Sequence, residues 1–397
     1  MRLLVLLVGV SGALILHELL VRRPAGIVRT AARLVLLLCA LGAMAVAGPF
    51  LRDRLSPWLD DGRVPVAVPF DPAGDPLGSK ALATQRPEQP FPSGGDAAAV
   101  SSWQQSVREA LRARQDLDLG RGAPETPAEV LSTDSVGSIR RTLVRFTSWD
   151  GTRVPAYVLD PGGPEKKAGV LVVPGHGLGI RATAGYVEEY QHQAALALAR
   201  RGYVVVTPEI RGFGMLAPEG RAAHRLVAAT ALMAGTSYKA LVAKDLHRAL
   251  TVLQGWPGVD PKRLAVVGTS LGGELAVLLA GLDPRVKVTV ANGYGGATGA
   301  IVEDADTSDD TGEASHGCHT MPGINEILAG EDWARLLAPR PLAIVRGNRE
   351  PASRSDSYAR LVREAYPANS DMFAFEVGQG GHEFYADITA RFLAKWL

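Results

Sequence analysis

The chain has 397 residues, of which 47% are hydrophobic and 21% are charged, and its formal net charge at pH 7 is +1. This length suits one large domain with additional segments, and the apolar fraction is sufficient for a sizeable core. The charge is balanced, and the sequence has no basic patch interleaved with aromatic residues. The composition therefore gives no general reason to expect nucleic-acid binding. The two cysteines, Cys39 and Cys318, provide neither a disulfide framework nor a cysteine-rich metal site.

The first predicted element, residues 1–51, is a membrane anchor. Residues 34–51 are uncharged and long enough to span a bilayer as a helix, and residues 3–21 form a weaker apolar run. The segment between the two runs contains four arginines and no acid, so the positive-inside tendency favours its location in the cytoplasm. Whether one or two segments span the membrane, the chain after residue 51 is expected outside the cytoplasm. The alternative, a cleaved signal peptide, lacks a small-residue cleavage site in the usual place.

Residues 52–137 are predicted to be a linker with a short helical extension. The first part is rich in Pro, Gly and Asp, which is typical of an extended tether. Residues 101–116 have the pattern of a helix, with Ser101 or Ser102 as its cap. The main domain is expected to occupy residues 138–397.

From residue 138 onward the pattern predicts an α/β fold. Two alternating strands separated by the turn WDGT come first, and continuous apolar runs typical of buried strands follow. Helical segments separate these runs, and one of them is predicted over VEEYQHQAALALARRG. We therefore expect a mostly parallel sheet of eight strands with helices on both faces. The apolar runs are AGVLVVPG, YVVVTPEI, RLAVVG, VKVTVAN and PLAIVRG.

The segment RLAVVGTSLGGELAVLLAG, residues 263–281, predicts a nucleophilic serine. Ser270 stands between Gly268 and Gly272, where a strand is followed by a helix. This is the pattern of a nucleophile elbow, in which glycines relieve the crowding around a strained serine. The alternative is an ordinary turn serine.

A nucleophilic serine requires a general base and an acid that orients the base. His382 follows a glycine-rich loop and precedes the last predicted helix, so it is the predicted base. Glu350 lies three residues after the strand PLAIVRG, at the strand end where catalytic groups gather in open parallel sheets, and it is the predicted acid. The competing acids belong to a run that is better interpreted as solvated: Glu303, Asp304, Asp306, Asp309 and Asp310.

Over about residues 138–397 the chain resembles the α/β-hydrolases, and within them the acetyl-xylan-esterase and dienelactone-hydrolase-like branch. This resemblance implies the α/β-hydrolase fold, and it implies that residues 208–214 border the active site. Relatives usually have Asp where this chain has Glu350, and dienelactone hydrolases use Cys where it has Ser270. The motifs that carry the resemblance are FTSWDGTRVPAYVLDPGG, VVPGHGLG, PEIRGFG, VVGTSLGGELA, LLAPRPLAIVRG and GGHEF.

Two backbone N–H groups are expected to bind the oxyanion of the tetrahedral intermediate. One is that of Leu271, directly after the serine. The other is that of Leu178, because HGLG looks like the H-G-x-G loop of hydrolases. His176 in this loop is expected to make a structural hydrogen bond.

The expected function is therefore hydrolysis of small-molecule or saccharide esters by a membrane-anchored serine esterase that needs no cofactor or metal. A serine peptidase, an acyltransferase and a non-catalytic binding module of the same fold remain alternatives. Residues 293–330 form an insertion that is expected to shape the pocket. A metal site built from His316, Cys318 and His319 is a weaker hypothesis, because adjacent ligands in a flexible loop rarely form one.

Overall fold

The computed structural model of the chain describes residues 86–122, 127–217, 223–294, 317–350, 352–367 and 370–397. The predicted membrane spans, the competing acids at 303–310 and His316 lie outside these ranges. Within the ranges, no single helix is long and apolar enough to cross a membrane, and one bent helix pair meets that criterion by length and composition only.

A nine-stranded sheet forms the centre of the described structure, in the order β1-β2-β3-β5-β4-β6-β7-β8-β9. The pairs β1–β2, β2–β3 and β3–β5 are antiparallel. The pairs from β5 through β4 and β6 to β9 are parallel. The strands are β1 Glu129–Val136, β2 Ile139–Thr147, β3 Arg153–Asp160, β4 Lys167–Val173, β5 Val204–Pro208, β6 Val259–Thr269, β7 Val288–Asn292, β8 Leu342–Gly347 and β9 Phe373–Gly378.

Helices cover both faces of the sheet, as predicted. Alternate residues of β4 enter two separate apolar clusters: Leu171 and Val173 enter one, and Val170 and Val172 enter the other. Successive side chains of a strand point to opposite faces, so both faces of β4 are buried. The helices are α1 Ala97–Arg114, α2 Ile180–Thr183, α3 Ala194–Ala199, α4 His224–Met233, α5 Tyr238–Gly255, α6 Leu271–Leu282, α7 Asp332–Arg335, α8 Ala352–Arg363 and α9 Ala386–Trp396.

The mostly parallel α/β architecture is confirmed, but the prediction of eight strands is wrong by one. The predicted runs correspond to β2 to β8, and neither β1 nor β9 was among them. Strand β1 pairs with β2 and lies inside the segment predicted as linker. Seven of its eight residues are exposed. An exposed edge strand has no apolar run, and therefore the hydrophobic pattern did not indicate it.

Two helices begin at other residues than predicted. Helix α1 begins at Ala97, where the Asp96 side chain accepts a hydrogen bond from the Ala99 N–H, so Ser101 and Ser102 lie inside it. The helix predicted over VEEYQHQAALALARRG begins only at Ala194. The two residues before it, His192 and Gln193, have φ angles of 43° and 52°, which a continuous right-handed helix does not contain.

Helix α1 packs against the main domain. Its side chains Trp103, Val107 and Leu111 are buried in the larger apolar cluster. The indole N–H of Trp103 donates to the carbonyl of Gln89 at 3.0 Å. The part of the predicted linker around this helix is therefore integrated with the hydrolase-like core.

Candidate active site

Ser270 occupies a strained turn between β6 and α6. Its φ and ψ angles are 60° and −127°, a conformation that residues with a side chain rarely adopt. A Cβ atom at Gly268 would overlap the carbonyl oxygen of Gly272, and one at Gly272 would overlap that of Val173. Glycine is thus required at both positions, and the local geometry is that of the predicted elbow.

Glu350 and His382 form a close pair. Nδ1 of His382 lies 2.7 Å from Oε1 of Glu350, and Oε2 of Glu350 accepts the N–H of Gly347 at 2.6 Å. The carboxylate is thereby fixed at both oxygens. Because Nδ1 faces the acid, Nε2 is the ring atom that would exchange a proton with a nucleophile.

The serine and the histidine each lie beside the end of β7. The N–H of Ser270 donates to the carbonyl of Asn292 at 2.8 Å. A Cβ atom at the next residue, Gly293, would lie 2.8 Å from Cε1 of His382. Strands β6 to β9 are parallel neighbours, so the residues that follow them meet at one edge of the sheet, where ligands bind in open α/β folds. The structure thus brings the three predicted side chains to a common edge.

A family model for dienelactone hydrolases matches residues 154–317. Over this range the chain is similar to the dienelactone hydrolase family. The match includes Ser270 and ends before Glu350 and His382, so the assignment of those two residues rests on their geometry. The family match and the nine-stranded sheet together identify the chain as a hydrolase with the α/β-hydrolase fold.

Curated relatives match this dienelactone-hydrolase-like chain over stretches of different length. The chain is 26% identical over 209 residues to "Putative hydrolase YtaP" of Bacillus subtilis, a match covering 50% of this chain and 67% of the relative. It is 52% identical over 48 residues to "Thiohydrolase apmlB" of Arthrinium phaeospermum. That second match spans only 12% of this chain and 16% of the relative.

Solved structures share the fold at low sequence identity. A "putative acetyl xylan esterase" from Bacteroides fragilis aligns with a TM-score of 0.65 and 19% identity, covering 76% of this chain and 80% of that one. A glucuronoyl esterase from Solibacter usitatus aligns with a TM-score of 0.53 and 17% identity, covering 78% and 97%. At these identities the likeness establishes the fold.

Tyr190 is a member of the candidate site that the sequence pattern did not indicate. Its ring stacks on that of His382 with the centroids 5.7 Å apart, and its hydroxyl donates to the carbonyl of His176 at 2.6 Å. Burial raises the pKa of Tyr190, nearby Glu189 raises it further, and a hydrogen bond with Ser270 opposes the rise. Tyr190 therefore contacts both the candidate nucleophile and the candidate base. It lies in a segment interpreted as helix, where no motif marks it.

The two predicted oxyanion donors differ in their surroundings. Leu271 is buried and is the first residue of α6, where backbone N–H groups have no acceptor within the helix. Leu178 is 54% exposed, and its N–H donates to Oε2 of Glu189 at 3.2 Å. A role for Leu178 in binding an oxyanion would require Glu189 to move away. Both assignments stay predictions.

Glu209 connects the loop after β4 with the loop after β5. It is fully buried, and its carboxylate accepts the N–H groups of Ile180 at 3.3 Å and Met215 at 3.0 Å. Burial raises the pKa of this carboxyl to about 7, although the backbone hydrogen bonds favour its charged form. The segment that the resemblance places beside the active site is thus attached to the predicted oxyanion loop.

A cluster of sulfur and nitrogen atoms lies beside the same loop. Nε2 of His176 is 3.4 Å from Sγ of Cys318, and Nδ1 of His319 is 2.6 Å from Oε2 of Glu274. One potential ligand atom from each of His176, Cys318 and His319 lies within 4.8 Å of the other two. The expected hydrogen bond of His176 is therefore made with Cys318, across the loop.

Proposed function

We propose that this chain hydrolyses carboxylic esters through a triad of Ser270, His382 and Glu350. The observation that carries the proposal is the Glu350–His382 pair, which stands at the sheet edge beside the strained Ser270 elbow. A hydroxyl becomes a useful nucleophile only when a positioned base accepts its proton, and this arrangement supplies such a base.

In the proposed reaction, the oxygen of Ser270 attacks the ester carbonyl while Nε2 of His382 takes the hydroxyl proton. The imidazolium is stabilised by Glu350, and it returns the proton to the departing alcohol as the ester C–O bond breaks. A water molecule then attacks the acyl-enzyme with His382 again acting as base, which releases the carboxylic acid and restores the serine. The N–H of Leu271 is suited to bind the oxyanion in both steps.

Ester substrates are favoured over the alternatives by the fold neighbours. Those neighbours include an acetyl xylan esterase and a glucuronoyl esterase, both named for esters of saccharides. We therefore propose small-molecule or saccharide esters as the substrate class. A peptidase or an acyltransferase would use the same triad, and a non-catalytic module would not need one.

The membrane anchor and the location of the enzyme are proposed from the sequence alone. Residues 34–51, and with them residues 3–21, would hold the protein in the membrane, and the arginines between the two runs favour a catalytic domain outside the cytoplasm.

The decisive experiment combines a serine-directed fluorophosphonate with a panel of esters of graded acyl length. Ser270→Ala is expected to abolish labelling and to lower turnover by roughly 10⁴-fold or more. Ser101→Ala, at an exposed position of α1, serves as the control and should behave like wild type. Labelling that persists in Ser270→Ala at another serine would refute the assignment. Labelling without turnover of any ester, but with cleavage of peptides or acyl transfer to an alcohol, would favour one of the alternatives.

A further inference from the structure

We propose that His176, Cys318 and His319 form a binding site for a divalent transition metal, with zinc as the best fit. Their potential ligand atoms lie within 4.8 Å of one another, and the His176 Nε2 to Cys318 Sγ distance is 3.4 Å. In a tetrahedral zinc site with Zn–S about 2.3 Å and Zn–N about 2.0 Å, that edge would measure about 3.5 Å. The other edges are at most 4.8 Å, so the cluster would contract by up to about 1.5 Å to enclose an ion.

The surroundings of His319 match those of a metal-binding histidine. Its Nδ1 faces Oε2 of Glu274 at 2.6 Å, and Lys239 binds the other carboxylate oxygen. A histidine that donates one ring N–H to a carboxylate offers its other nitrogen to a metal, with a fixed orientation and increased basicity. Glu274 and Lys239 would thus act as the supporting layer of the site.

The chemistry of the three side chains selects the kind of ion. One thiolate and two imidazoles suit zinc and related transition metals, whereas magnesium and calcium prefer oxygen ligands. Cys318 is fully buried, and His176 and His319 are only partly exposed, so an ion at the cluster would be largely shielded from solvent. Three protein ligands leave a fourth position for a water molecule or another small ligand.

A metal at this position would connect segments that surround Ser270. His176 belongs to the loop after β4, and its carbonyl accepts the hydroxyl of Tyr190 at 2.6 Å. Cys318 and His319 lie in the turn Gly317–His319, and Glu274 lies on α6 in the turn that follows Ser270. The ion would thereby hold the predicted oxyanion loop against this turn, and it would act through position without entering the ester chemistry.

The test uses Co²⁺ as a spectroscopic probe on the full-length protein after treatment with a chelator. We expect one equivalent to bind with a thiolate-to-cobalt charge-transfer band and the visible bands of a tetrahedral ion, and we expect Zn²⁺ to displace it. Cys318→Ser should lose the charge-transfer band. Cys39→Ser, which changes the other cysteine of the chain, should retain it.

Two further variants separate metal binding from failure to fold. Glu274→Gln should weaken Co²⁺ affinity by about 10-fold to 100-fold, as loss of a supporting carboxylate does elsewhere. His176→Gln should lower the affinity while its circular dichroism spectrum matches that of wild type and shows that the protein is folded. Absence of stoichiometric Co²⁺ binding to wild type that is folded by circular dichroism, or a band that survives Cys318→Ser, would show that the cluster is a hydrogen-bonded Cys–His group only.

Discussion

Nδ1 of His382 lies 2.7 Å from Oε1 of Glu350, although 32 residues separate the two in the chain. The second oxygen of Glu350 accepts the N–H of Gly347, the last residue of β8. The acid is thus oriented by its own strand end, and it orients the imidazole that follows β9. Such a pair fixes which ring nitrogen of the histidine carries the proton.

The first prediction concerns this acid. Glu350→Gln should lower kcat for an ester by about 10⁴-fold while the protein stays folded, because an amide cannot stabilise the imidazolium and favours the wrong tautomer. Glu350→Asp should retain part of the activity. Steady-state kinetics with circular dichroism would measure both effects, and Glu165→Gln, in an exposed turn, is the matched control. Near-normal activity of Glu350→Gln, together with severe loss in a variant of Asp304 or Asp306, would place the acid in the 293–330 insertion.

The second prediction concerns Tyr190. Tyr190→Phe removes the hydrogen bonds to the His176 carbonyl and to Ser270 but keeps the ring that stacks on His382. Loss of one such hydrogen bond corresponds to about 1 kcal/mol, so we expect kcat to fall about fivefold with little change in KM. Tyr186→Phe is the control, since that hydroxyl binds Asp134. A change in KM alone would indicate that Tyr190 contributes to substrate binding without affecting the transition state.

The third prediction is a pH dependence of stability. Because burial raises the pKa of Glu209 from 4.5 to about 7, the folded protein binds a proton there that the unfolded chain releases at lower pH. The free energy of unfolding should therefore decrease as the pH rises from about 4.5 to about 7, by on the order of 3 kcal/mol from this group.

Glu209→Gln removes this titration. Denaturant unfolding at several pH values should give a difference between wild type and variant that changes across the same interval and is constant above it. Glu165→Gln should run parallel to wild type. A difference that is constant from pH 4.5 to pH 7 would show that Glu209 has an ordinary pKa in the folded protein.

The fourth prediction is topological. Residues 22–33, directly before the span 34–51, contain four arginines and no acid, so the chain after residue 51 should emerge outside the cytoplasm. A reporter that is active only outside the cytoplasm should be active when fused after residue 100. Protease added to intact spheroplasts should digest the domain. Protection until the cells are lysed would place the enzyme in the cytoplasm.

The features that the sequence determined by itself are those encoded in short stretches of chain. The turn around Ser270 depends on its near neighbours in the sequence, because a Cβ at Gly268 would overlap the carbonyl oxygen of Gly272. The buried strands β4 to β8 are continuous apolar runs, so a mostly parallel sheet and the sheet edge at which Glu350 and His382 stand could be predicted. The distance between these two side chains at that edge could not be predicted from the sequence.

Tertiary structure decided the features that depend on contacts between distant segments. Strand β1 exists because its backbone pairs with β2, and its exposed side chains leave no pattern. Tyr190 reaches His382 across the sheet edge, and His176 meets Cys318, which is 142 residues away. Hydrophobic periodicity records whether a side chain is buried, and it carries no information about which distant polar group it meets. These contacts between distant polar groups form only when the loops fold over the ends of the strands.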